Sequence, residues 1–128
     1  MKDGARILVG IDGSEHSKEA LLEAIDLAKR CSGFIKVINL YKQGWGERSG
    51  EVVAEAEELL KKAKIAYDSQ SILGSNPSRA LVAMADHEHF DLIVIGSRGY
   101  GSVASFLLGS VSKQVVTKTN CNVLVVKK

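Results

Sequence analysis

Apolar positions along this chain switch between two periods. Short β-branched runs occupy residues 6–12, 34–40, 65–72, 91–95 and 122–126, and such runs predict strands. The stretches between them repeat at helical spacing. In the first, Ala20, Leu21, Ala24, Ile25, Ala28 and Cys31 share one face, while Glu19, Glu23, Lys29 and Arg30 lie elsewhere. The second, residues 47–64, sets Glu57 against Lys61 and Glu58 against Lys62, the i,i+4 pairing of an exposed helix face. The third opens with Asn76-Pro77, an N-cap followed by proline at the first helical position, and offers Leu81, Met84 and Ala85 to a core. The fourth covers residues 110–119. Residues 44–50 (Gly-Trp-Gly-Glu-Arg-Ser-Gly) read as a mobile loop after the second strand.

Strands alternating with helices at this spacing predict βαβ crossovers and a parallel sheet, an α/β fold, here one domain over residues 1–128. The first and fourth strands are nearly continuous apolar runs, as central strands covered on both faces should be. Composition narrows the class. With 45% apolar and 25% charged residues, a disordered tail, a collagen-like repeat and a disulfide scaffold are excluded. No apolar run reaches the roughly 18 residues that cross a bilayer, so no membrane partner is expected. The opening residues lack the form of a signal peptide. Cys31 and Cys121 have no metal-ligand spacing and read as free thiols in a reducing, cytoplasmic setting. A net charge of +2 does not argue for nucleic acid. The charge distribution says more. No acidic residue follows Asp91, whereas Arg98, Lys113, Lys118, Lys127 and Lys128 do. That imbalance suits a site for an anion, or equally a lysine-tipped final strand.

In an open parallel sheet, ligands bind beyond the carboxyl ends of the strands, where strand order reverses. Two loops qualify. Gly10-Ile11-Asp12-Gly13-Ser14 puts an acid at the end of the first strand, where it can accept from ribose hydroxyls or a base amine, or serve only as a helix cap. The second loop runs from Gly96-Ser97-Arg98-Gly99 to Gly109-Ser110-Val111-Ser112. Its glycines admit close backbone approach, and its end delivers the chain into a helix whose first turn carries free N–H groups and two hydroxyls. Those parts make a phosphate cradle, or a long connection with ordinary serine capping. A P-loop string is absent, and so is a GxSxG elbow. Gly99-x-Gly101-x-x-Ala104 matches a dinucleotide fingerprint, but after the wrong strand and without the ribose acid that should follow. His87-Glu88-His89 does not set two imidazoles on one helix face and reads as a solvated helix end. His16 reads as an exposed first-turn residue. No metal site is expected.

The spacing Gly96-x-x-Gly99, nine residues, then Gly109-Ser110 resembles the G-2x-G-9x-G-(S/T) signature of ATP-binding members of the universal stress protein family. Residues 7–17 (Ile-Leu-Val-Gly-Ile-Asp-Gly-Ser-Glu-His-Ser) and 122–126 resemble the family's first and last strands, so the similarity runs through the whole chain. Asn39 departs from the family, standing where many members carry histidine, and Gly10 stands where alanine or proline is common. The resemblance implies a five-stranded sheet in order 3-2-1-4-5 with helices on both faces, of the adenine nucleotide alpha-hydrolase-like type. It implies ATP across the first and fourth strands, with any Mg²⁺ carried by the nucleotide. Carried onto this chain, Asp12 would bind ribose or adenine. Ile11, following Gly10, and Leu40 would offer backbone to the adenine, and Gly96 and Gly99 would line the ribose and α-phosphate. Gly109, Ser110, Val111 and Ser112 would hold the outer phosphates, and Arg98 is the one cation within the loop. The resemblance further implies a homodimer through the last strand, with Val123, Leu124, Val125 and Val126.

The expected function is therefore an ATP-binding stress-response protein whose nucleotide is a ligand rather than a fuel. Turnover at a γ-phosphate asks for Mg²⁺ ligands and a residue that positions the attacking group, and neither loop holds a second carboxylate. Any hydrolysis should be slow, and no catalytic residue is assigned. The alternatives are a slow ATPase and a dimeric scaffold without a physiological nucleotide.

Overall fold

The structure is a computed structural model that describes residues 1–97 and 110–127. The elements run β1 (Arg6–Gly10), α1 (Glu15–Cys31), β2 (Phe34–Tyr41), α2 (Gly46–Ala63), β3 (Ala66–Leu73), α3 (Pro77–His87), β4 (Leu92–Gly96), α4 (Ser110–Lys118) and β5 (Asn122–Val126). All strand pairs are parallel and the order is β3-β2-β1-β4-β5, as expected.

Two cores sandwich the sheet. On one face Ile7, Val9, Ile35, Val37 and Val94 meet the apolar stripes of α1 and α2, including Leu21, Ala24, Val52 and Leu60. On the other, Leu8, Ile38, Ile93 and Ile95 meet Leu81 and Ala85 of α3 and Val115 of α4. Ile7, Leu8 and Val9 are wholly buried, which is why β1 reads as an unbroken apolar run. β3 is an edge strand and its residues are mostly exposed.

Local chemistry accounts for the helix ends. Ser14 caps α1, its side chain accepting from the Ser17 N–H at 3.2 Å. Asn76 caps α3 by accepting from the Arg79 N–H at 3.1 Å, with Pro77 in the first turn.

Two expectations need correcting. The segment 44–50 is not a loop throughout: α2 begins at Gly46, so only residues 44 and 45 lie outside it. Its two glycines disfavour a helix, but Ser49 is pulled inward by hydrogen bonds to Asn39 and Ser71 and its N–H bonds the Trp45 carbonyl. Tertiary contacts override a weak local propensity. β1 ends at Gly10 rather than residue 12. Ile11 still donates its N–H to the Ile38 carbonyl at 2.9 Å, and the chain then turns into the α1 cap.

Candidate functional site

The order reverses at β1, which has β2 on one side and β4 on the other. The carboxyl ends of β1 and β4 are therefore neighbours. α1, which follows β1, packs on one face of the sheet, and α4, the next described element after β4, packs on the other. Open α/β sheets hold their ligands at such a reversal, beyond the strand ends.

From β1, the turn to α1 is fixed by a closed set of hydrogen bonds. The Ser14 N–H donates to Asp12 Oδ1 at 2.8 Å, an Asx turn. The Asp12 N–H donates to Ser17 Oγ at 3.2 Å, and that hydroxyl donates to the Ser14 carbonyl at 3.1 Å. Gly13 takes φ of +84°, a conformation glycine adopts without strain. Asp12 is exposed. One carboxylate oxygen is held in the turn; the other has no partner among the described residues and is free to accept from a ligand.

From β4, Ser97 anchors the chain by donating its N–H to the Val126 carbonyl at 2.9 Å. Its carbonyl accepts from Ser112 Oγ at 3.0 Å, tying the first turn of α4 to the end of β4. Its own hydroxyl lies 3.4 Å from His16 Nδ1. Ser112 is buried and Ser110 exposed, so Ser110 carries the solvent-facing hydroxyl of this turn. Val111, also in the first turn of α4, packs against the core beneath α3 and α4.

β2 runs to Tyr41, three residues beyond Ile38, the last residue paired with β1. Ile38 turns its carbonyl toward β1, and by the alternation of a strand Leu40 turns its backbone the same way. With β1 already ended, Leu40 presents an N–H and a carbonyl to a notch beside that strand end. Its side chain rests against Gly74, where a Cβ would sit 3.4 Å from Leu40 Cδ1.

Three expected residues have other work in this structure. A Cβ on Gly96 would sit 2.7 Å from the His16 carbonyl carbon, so glycine there lets β4 end against the first turn of α1. A Cβ on Gly10 would meet the two Leu81 methyls at 3.0 and 3.2 Å, so this glycine seats α3 on the sheet. Ile11 has both backbone groups engaged: its N–H bonds Ile38, and its carbonyl accepts from Asn39 Nδ2 at 2.6 Å. Arg98, Gly99 and Gly109 lie outside the described residues.

Sequence reasoning noted Asn39 only as a departure from the family pattern and gave Ser17 and Ser97 no role; His16, expected to be exposed, is half-buried with Nδ1 beside the Ser97 hydroxyl. Asn39 is buried within β2, and a polar residue inside an apolar strand is the signal that marks it. Lys36 breaks the same run. It is buried on the α3 side, its ammonium 3.2 Å from Glu88 and 3.5 Å from Asp68. Among the described residues, no three His, Cys, Asp or Glu side chains are grouped to hold a metal ion. No described helix is long and apolar enough to cross a membrane.

An open five-stranded parallel sheet with helices on both faces, its order reversing at β1, is the doubly wound α/β architecture. The family model described as the universal stress protein family matches residues 5–127, and the chain belongs to that family. Universal stress protein MJ0531 of Methanocaldococcus jannaschii is 32% identical, over 96% of this chain and 82% of its own. Hypothetical protein MJ0577 superposes with a TM-score of 0.87 at 23% identity, over 96% of this chain and 95% of that one. A crystal structure of a universal stress protein in complex with cAMP superposes with a TM-score of 0.82 at 29% identity, covering 98% of both chains.

Proposed function

We propose that this protein binds an adenine nucleotide in the crevice beyond β1 and β4 and acts as a nucleotide-dependent stress-response protein. One observation carries the reading. The order reversal brings a carboxylate with a free oxygen, Asp12, to the same sheet edge as the N-terminal turn of α4, with its exposed Ser110. A nucleotide needs both: an acceptor for its ribose hydroxyls and N–H donors at the positive end of a helix for its phosphates. The Leu40 backbone beside the notch supplies a donor and an acceptor in line, the pairing that an adenine edge requires. The cAMP complex of a relative of the same fold supports the ligand class.

ATP is the form favoured by the spacing of Gly96, Gly99 and Gly109, with Mg²⁺ carried by the nucleotide. The described residues at the phosphate end offer hydroxyls and N–H groups, and Asp12 sits at the other end. This set binds phosphate without arranging the paired metal ligands of a phosphoryl-transfer site, so the nucleotide serves as a ligand. β5 is an edge strand whose Val123, Leu124 and Val125 remain partly exposed, and pairing with a second copy would cover them.

The test is a comparison of nucleotides. Freshly purified protein is denatured and any released nucleotide identified by mass spectrometry. Stripped protein is then titrated with ATP–Mg²⁺, AMP and cAMP, with sedimentation of the same sample reporting the dimer. Ser110→Ala should weaken ATP more than AMP, because the lost hydroxyl faces the outer phosphates. Equal losses would remove the phosphate assignment, and no binding of any of the three would remove the nucleotide.

A further inference from the structure

The peptide unit joining Ile11 to Asp12 is clamped at both of its polar ends. Its carbonyl accepts from Asn39 Nδ2 at 2.6 Å, and its N–H donates to Ser17 Oγ at 3.2 Å. The clamps come from different elements, Asn39 from β2 and Ser17 from α1, and both side chains are buried, each 6% exposed. The preceding unit is tied as well, through the Ile11 N–H to Ile38. A peptide plane held at both ends cannot rotate, so it fixes the N–Cα bond about which the next residue turns, and the Ser14 N–H bond to that residue's carboxylate restrains the remaining rotation. The next residue is Asp12.

Asn39 is itself held. Ser49, 2% exposed in the first turns of α2, donates its hydroxyl to Asn39 Oδ1. A hydroxyl has one proton, so the contact of Ser49 Oγ with Ser71 Oγ at 3.0 Å is a bond donated by Ser71. The chain of donors therefore runs from Ser71 to Ser49 to the Asn39 carbonyl oxygen. That fixes the amide with its NH₂ toward Ile11, since the opposite orientation would set two acceptors face to face. No buried side-chain polar atom of this set lacks a partner. The network costs an apolar strand one of its core positions, and among the described residues it reaches the end of β1 through the Ile11 carbonyl.

The geometry points to Asn39 as the positioning residue of the nucleoside end. By fixing the Ile11 carbonyl it fixes the aim of Asp12, and so sets how far the site favours a ribonucleotide over its 2′-deoxy analogue. This rests on the nucleotide reading above. The physical reason is tolerance: a charge-assisted hydrogen bond from a ribose hydroxyl to a carboxylate survives only small errors of aim. A tilted peptide plane moves the Asp12 carboxylate while leaving the fold in place.

The experiment is calorimetric titration of the full chain with ATP and with 2′-deoxy-ATP, both with Mg²⁺. The wild type should prefer ATP by about tenfold or more, the scale of a hydrogen bond to a charged group, and Asp12→Ala should bring the ratio near one. Asn39→Asp keeps the shape of the side chain but removes the donor to Ile11. It should lower the ratio to within about threefold of one, with the loss falling on ATP rather than on the deoxy form. Ser17→Ala cuts the other end of the same peptide unit without placing a charge in the core. It should move the ratio in the same direction, and it decides the matter where Asn39→Asp does not fold. A merely structural role would lower both affinities alike and leave the ratio unchanged. Folded Asn39→Asp or Ser17→Ala protein with the wild-type ratio, alongside Asp12→Ala protein without it, overturns the assignment to Asn39. An Asp12→Ala protein that keeps the preference overturns the ribose contact itself.

Discussion

Gly96 illustrates how a residue can be needed for a reason other than the one its motif suggests. The glycine spacing assigns it to a ligand. In the structure a single added carbon at this position would lie 2.7–2.8 Å from three atoms of His16, two of them backbone. Backbone does not rotate aside, so the first turn of α1 would have to shift. Gly96→Ala should therefore cost about 1–3 kcal/mol, as overpacking of a closed contact does, and urea denaturation without nucleotide will measure it. Gly10→Ala meets side chains rather than backbone, the Leu81 methyls at 3.0 and 3.2 Å and Ile95 at 3.6 Å, and should cost less than Gly96→Ala. The same pair of variants separates packing from binding. A Gly96→Ala protein as stable as wild type would return this glycine to the ligand alone. Cys121 is likewise explained by its surroundings. Desolvation raises its thiol above the ordinary value, and Sγ is turned to the Phe90 carbonyl at 3.3 Å, which describes a packing residue rather than a nucleophile.

At the scale of elements, α2 depends on tertiary contacts for its start. Its N-cap is Trp45, which makes no side-chain capping bond, and its first turns contain Gly46 and Gly50. What holds this end is the buried hydroxyl of Ser49 between Asn39 and Ser71. Gly50 takes no part: it is exposed, and a Cβ there would meet nothing within 4 Å. Gly50→Ala should stabilise the protein by about 0.5–1 kcal/mol, by restricting the unfolded chain without altering a contact. A rise in Tm of a few degrees is the expected reading, and a fall would mean that the turn is not helical as described. The existence of α2 was legible in the sequence, though the expected Glu57–Lys61 and Glu58–Lys62 pairs do not form among the ion pairs of the described residues and Glu57 instead accepts from the Ser69 hydroxyl at 2.7 Å. Its start was not, because the bonds that fix it reach to strands ten and twenty-two residues away.

Across the whole molecule, Asp91 ties the entrance of β4 to that of β1. Its carboxylate accepts from the Arg6 N–H at 2.8 Å, and Lys2 pairs with it at 3.1 Å. The Arg6 hydrogen bond, reinforced by Lys2, holds the carboxyl below its ordinary value of 3.8 against the opposing effect of burial. A depressed carboxylate contributes stability that is fully present above the unfolded value and lost as pH falls through the folded one. Asp91→Asn should therefore lower the Tm at neutral pH, and the gap to wild type should close as pH drops below about 3.8. A gap that persists in acid would assign the effect to packing. The amino acid sequence by itself determined the number and order of elements, the parallel sheet, the stripes of α1 and α3 and the turn that follows β1. Those follow from periodicity and from glycine, proline and capping residues, which act over a few positions. Only the tertiary structure decided that Ile11 is closed by Asn39, that Ser112 faces inward while Ser110 faces out, that Lys36 is buried against Glu88, and that Gly96 yields to His16. Each of these joins residues far apart in the chain, and the partner of a buried polar group or the neighbour of a missing Cβ is fixed only once the sheet has brought the two together.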